Sequence, residues 1–83
     1  MADKITVDLH PIFRSDRDID QAVRIVIFRA ARERIPMAEI IVGKGKAALQ
    51  NRVMKMLGAA HLKRLYRSVE VDPNNDGRVL VHF

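Results

Sequence analysis

The sequence predicts an α/β fold. It reads as a two-layer sandwich of order β-α-β-α-β-β, with a four-stranded mixed sheet and both helices on one face, filling residues 1–83 as a single domain. Three observations lead there. Apolar residues alternate along Ile5–Leu9, Leu65–Asp72 and Arg78–Phe83, the period of half-buried strands. They recur at helical spacing in two other stretches, Ile19–Ala30 and Leu49–Leu57. Between the last two strands stands Pro73-Asn74-Asn75-Asp76-Gly77, a turn sequence suited to a hairpin. With 83 residues, 48% of them hydrophobic and 30% charged, the chain can build one small core and has a globular rather than a disordered composition.

Met1–Lys4 read as a frayed end. In the first strand Ile5, Val7 and Leu9 share one face, while Asp8 and His10 share the other. Pro11 ends the ladder. Ile12–Arg17 is a connection, and Ser15 with Asp18 fits the start of a helix whose first turn is acidic. That helix runs to about Arg34 and stops before Pro36. Its main apolar face is Ile19, Ala22, Val23, Val26, Ile27 and Ala30; Ile25 and Phe28 widen it, so its flank is either packed or meets a partner. Ile40-Ile41-Val42 is a short buried strand, Gly43-Lys44-Gly45-Lys46 a loop, and Ala47–Leu57 a helix with Gly58 as its C-terminal cap. Ala59–Lys63 is a link with His61 on the surface. Tyr66 either packs on the sheet or stacks on a base, and His82 lies on the less buried sheet face.

The Gly43–Lys46 loop is the first candidate site. Glycines at 43 and 45 tolerate positive φ and let a ligand approach, and the helix dipole gathers positive charge where the loop ends. Helix starts favour Ser, Thr, Asp or Asn with acids in the first turn; here Lys44 and Lys46 stand instead, which makes sense if an anion sits on top. The spacing is neither that of a P-loop nor that of the dinucleotide fingerprint. Two right-handed crossovers place this loop beside Asp8-Leu9-His10, at the C-terminal ends of neighbouring parallel strands, where open α/β sheets collect ligands. Asp8 and His10 are either a general acid–base pair or a loop-anchoring hydrogen-bond pair.

Net charge is +5. No acid occurs between Glu39 and Glu70, while Lys44, Lys46, Arg52, Lys55, Lys63, Arg64 and Arg67 all do. Such a one-sign segment is the footprint of a polyanion, nucleic acid above all. The absence of cysteine fits a reducing, cytoplasmic setting. No apolar run approaches the roughly 20 residues of a membrane span.

The motifs also resemble a known family. Val7-Asp8-Leu9-His10 is similar to the Leu-Asp-Leu-His-Gly motif of the Smr (small MutS-related) domain, and Ile40-Ile41-Val42-Gly43-Lys44-Gly45 to its second motif, His/Thr-Gly-x-Gly after an apolar strand. The resemblance spans nearly the whole chain, as a stand-alone variant with Pro11 in place of the glycine after the histidine and Val42 in place of the His or Thr. It implies a β-α-β-α-β-β sandwich similar to the C-terminal domain of a bacterial translation initiation factor. It also implies nucleic-acid binding and endonuclease activity, nicking DNA or cleaving RNA. On that reading Asp8 and His10 are catalytic, while Gly43, Lys44, Gly45, Lys46, Arg52 and Lys55 hold phosphate. A Mg or Mn ion on Asp8 is an option, although one carboxylate is a poor site by itself. The rivals are a binding module without catalysis and a protein–protein module using the Ile25–Phe28 flank. The expected working form is a monomer or weak homodimer.

Overall fold

The computed structural model describes residues 3–12 and 14–83. Met1 and Ala2, in the end read as frayed, and Phe13, in the first connection, lie outside the described residues. The strands are β1 (Ile5–Asp8), β2 (Met37–Ile41), β3 (Ser68–Val71) and β4 (Arg78–His82); the helices are α1 (Asp16–Glu33), α2 (Ala47–Leu57) and α3 (Ala60–Lys63). A 3-10 turn, His10–Ile12, follows β1. The sheet order is β1-β2-β4-β3, with β1 parallel to β2 and the other neighbours antiparallel. The expected mixed sheet and element order are therefore present, and α3 adds one turn where the sequence suggested only a link.

Alternation along the strands divides the sheet into two faces. One cross-strand row is Val7, Ile40, Val79 and Val71; the next is Ile5, Ala38, Val81 and Val69. Ala38, Ile40, Val79 and Val81 are wholly buried beneath Ile19, Val23, Ile27 and Ala30 of α1, Val53 and Leu57 of α2 and Leu62 of α3. Both long helices thus feed one core on one face, each fully buried aliphatic side chain contributing about 1.5–3 kcal/mol.

Helix α1 starts where its cap lies: Ser15 Oγ accepts the Asp18 N–H at 3.2 Å. It ends on Arg34, whose φ of 57° is left-handed and whose N–H bonds the Ala30 and Ala31 carbonyls. Ile35 then donates to the Ala30 oxygen at 2.9 Å and is itself buried. An arginine in a place made for glycine carries a steric penalty. Arg34→Gly is expected to raise stability by about 0.5–1 kcal/mol, seen as a Tm several degrees higher in a thermal melt.

Strand β2 is Met37–Ile41 and not Ile40–Val42, because Glu39 interrupts the apolar run that marks the strand in the sequence. Glu39 lies on the helix-free face, in the row Thr6, Glu39, Leu80 and Glu70, and is only 5% exposed. Arg78 donates to its Oε2 at 2.8 Å, Thr6 Oγ1 to its Oε1 at 3.2 Å, and Lys4 Nζ stands 3.6 Å away. Burial pushes the carboxyl up, but the hydrogen bonds from Arg78 and Thr6 and the charges of Lys4 and Arg78 together hold it below the ordinary glutamate value. A group depressed in this way stabilises the fold above its unfolded-state pKa, and that stabilisation is lost as pH falls through the folded value. Glu39→Gln is expected to cost about 1–3 kcal/mol at neutral pH. The gap to wild type should close as pH falls below the ordinary glutamate range in urea titrations.

Strand β3 starts at Ser68, later than the alternation from Leu65 suggests. Tyr66 is the reason: its hydroxyl donates to the Leu57 carbonyl at 2.7 Å, which holds the return from α3 against the end of α2. Gly58 does cap α2, but with a right-handed φ of −76° and ψ of −9° in place of the left-handed cap that glycine favours, because the chain continues at once into α3.

Candidate functional site

β1 and β2 run parallel with Asp8 opposite Ile41, and the Leu9 N–H bonds the Ile41 carbonyl at 2.9 Å. Both sequence motifs therefore leave the sheet at the same edge. They then part. Asp8 alternates with the core-facing Val7 and so belongs to the helix-free face, whereas the chain after Ile41 turns into α2 on the other. Asp8 Oδ1 accepts the His10 backbone N–H at 2.9 Å, the loop-anchoring bond weighed for this pair. Pro11 fits the 3-10 turn His10–Ile12, in which the Ile12 N–H bonds the Leu9 carbonyl at 3.1 Å.

The glycine loop is built as its sequence demands. Gly43 has φ 91° and Gly45 φ 74°, both in the region that side-chain-bearing residues avoid. What the sequence did not reveal is the buttress beneath it. The N–H groups of Val42 and Gly43 both bond the Gly77 carbonyl, at 2.8 and 3.0 Å. Gly77 is buried, and a Cβ there would lie 2.9 Å from Lys44 N and 3.0 Å from Gly43 C. The hairpin turn thus carries the loop. Asn75 Oδ1, accepting the Gly77 N–H at 2.9 Å, holds the turn in shape. Read alone, Gly77 was a turn residue; its second role follows from the pairing of Ile41 with Arg78.

The Gly43 amide is thereby committed within the fold, and the candidate donors lie further on. Lys46 is the N-cap of α2; its carbonyl accepts the Gln50 N–H at 2.9 Å, but no side chain caps the first turn and that turn contains no acid. The first N–H groups of any α-helix lack intrahelical partners. Here they carry the positive end of the dipole without a carboxylate or hydroxyl cap.

A cavity of about 450 Å³ opens at this end, lined by Gly45, Lys46, Ala47, Ala48 and Leu49 and walled by Asp16, Ile19 and Arg52. Arg52 lies 3.0 Å from Asp20 Oδ1 and 3.6 Å from Asp16 Oδ1, tying α2 to the first turns of α1. Lys46 and Arg52 are thus brought together; Lys55 is exposed further along α2, and neither Asp8 nor His10 lines the cavity. Lys44, Lys55, Lys63, Arg64 and Arg67 are all exposed and form no ion pair with a described residue. Among the described residues no three His, Cys, Asp or Glu side chains converge on one point. The donor set does not fit a resident divalent ion at Asp8. Among the described residues no helix is long and apolar enough to cross a membrane.

The model of the Smr domain family matches residues 7–83, a span that takes in both motifs, both long helices and the closing hairpin. No curated protein and no solved structure matches the chain significantly.

Proposed function

The chain belongs to the Smr domain family, and from that membership we propose that it binds the phosphodiester backbone of nucleic acid at the N-terminus of α2. The family is associated with nucleic-acid binding and cleavage. One observation carries the reading: α2 begins without a side-chain cap or a first-turn acid, behind a loop bearing Lys44 and Lys46. A phosphate oxygen placed there meets backbone N–H groups, the dipole and two ammonium groups at once. Lys55, Lys63 and Arg64 extend the positive surface. Arg52 contributes the wall and holds α2 to α1 through Asp16 and Asp20.

Cleavage is the second reading, favoured by the Asp8–His10 motif at the same sheet edge. His10 would transfer the proton and Asp8 would position it through the backbone bond. The lysine-bearing loop would stabilise the charge that develops on phosphorus oxygens. Val42, 1% exposed and apolar, supplies no polar group of its own. Labelled single-stranded, duplex and branched DNA, and RNA, incubated with and without magnesium or manganese, separate the two readings. Cleavage that disappears in His10→Ala while binding persists makes the protein a nuclease. Binding without cleavage in wild type leaves the phosphate grip alone. No binding at low salt removes both.

A further inference from the structure

β1 is an edge of the sheet. The Leu9 N–H points to β2, and backbone groups alternate along a strand, so Thr6 and Asp8 turn their N–H and C=O groups to the open edge. Beside that edge α1 leaves a groove of about 300 Å³ lined by Ile5, Val7, Ala22, Ile25, Val26 and Arg29. At Ile25 and Arg29 it runs on into a depression of about 450 Å³ around Phe28, between Arg24 and Arg32. Ile25 is 56% and Phe28 46% exposed, on a helix whose core residues are 4% exposed or less. The rim is basic. Glu33 answers Arg29 at 2.8 Å and Arg32 at 3.9 Å with one charge between them, and Arg24 forms no ion pair with a described residue.

We propose that this groove takes up an extended, acidic and apolar peptide segment of another protein, added to β1 as a fifth strand. Main-chain groups of Thr6 and Asp8 supply the ladder, and every second side chain of the peptide faces α1, apolar ones settling against Ile25 and Phe28 and acidic ones meeting Arg24, Arg29 and Arg32. A second copy of the chain suits the surface poorly, because two-fold pairing through β1 would bring the same arginines together in a chain of net charge +5. Nucleic acid suits it less well than peptide, because the lining is mostly aliphatic and offers one aromatic ring for stacking.

Random dodecapeptides displayed on phage, selected on wild type and counter-selected on Ile25→Glu/Phe28→Glu, test the proposal. Both side chains are exposed, so the double variant should keep the wild-type Tm and serve as a folded control. The expected consensus carries both its apolar and its acidic residues at every second position, on the one face that meets α1. A synthetic peptide of that sequence should shift the backbone amides of Thr6 and Asp8 in ¹⁵N spectra and bind the variant more weakly, by about tenfold or more. Three results would overturn it: no consensus surviving counter-selection, a consensus peptide that shifts amides elsewhere, or a wild-type dimer in sedimentation that the double variant disperses. Single-stranded DNA that shifts Ile25 and Phe28 in place of the peptide would also overturn it, and would reassign the face to nucleic acid. None of these readouts depends on the α2 site.

Discussion

Lys44→Ala/Lys46→Ala is expected to weaken nucleic-acid binding by about 10- to 100-fold at low salt and to flatten its salt dependence. Each duplex phosphate neutralised contributes about 0.9 to the slope of log K against log salt, so removing two contacts should lower that slope by about 1.8. Both residues are exposed at the start of α2, and surface substitutions of this kind change stability by about 0.5 kcal/mol or less. The effect should therefore appear in titrations at several salt concentrations and be nearly absent from thermal melts. Arg64→Ala, on the same basic segment but beyond α3, removes one charge from the surface and should cost less. If the double lysine variant kept wild-type affinity and slope, the α2 N-terminus would not be where phosphate binds.

Gly77→Ala should act through the fold and reach the same loop. The added Cβ meets Lys44 N at 2.9 Å and Gly43 C at 3.0 Å, both backbone atoms that no rotamer change can move aside. The hairpin turn and the glycine loop must separate, which strains the bonds from Val42 and Gly43 to the Gly77 carbonyl. Overpacking of this kind costs about 1–3 kcal/mol. In a domain of this size each kcal/mol lowers Tm by about 4–8 °C. Binding should fall as well, at temperatures where the variant is still folded, because Lys44 and Gly45 move with the displaced loop. Gly58→Ala is the control: its Cβ would meet only the Lys55 carbonyl at 3.4 Å and the Met54 carbonyl at 3.6 Å, at an ordinary φ. A wild-type Tm for Gly77→Ala would mean that the turn does not buttress the loop.

The two variants differ in how much of their rationale the chain shows in linear form. Lysines among glycines after an apolar run are the local pattern from which the anion site is proposed, and the positive φ values at Gly43 and Gly45 bear out the backbone that those glycines imply. The Ser15 cap, the core stripe of α1 and the hairpin turn are equally local, since each depends on residues two to four positions apart. Ile25 and Phe28, too many for one apolar stripe, are the large hydrophobic side chains that stay exposed among the described residues.

The remaining features depend on which strand lies beside which. β4 inserts between β2 and β3, and that choice alone brings Gly77 under Gly43 and Arg78 against Glu39. Glu39 precedes the Ile40–Val42 run that marks the strand in the sequence, and in the fold it is a strand residue paired by Arg78, Thr6 and Lys4. Arg52 looks like a phosphate contact and also ties two helices together through Asp16 and Asp20. Periodicity and turn chemistry belong to short stretches of chain, so the sequence by itself determined the four strands, the two long helices, their order and the basic loop. Register and helix docking are settled by contacts between residues more than 30 positions apart, such as Thr6 with Glu39 and Arg52 with Asp20, and only the packed tertiary structure decided those.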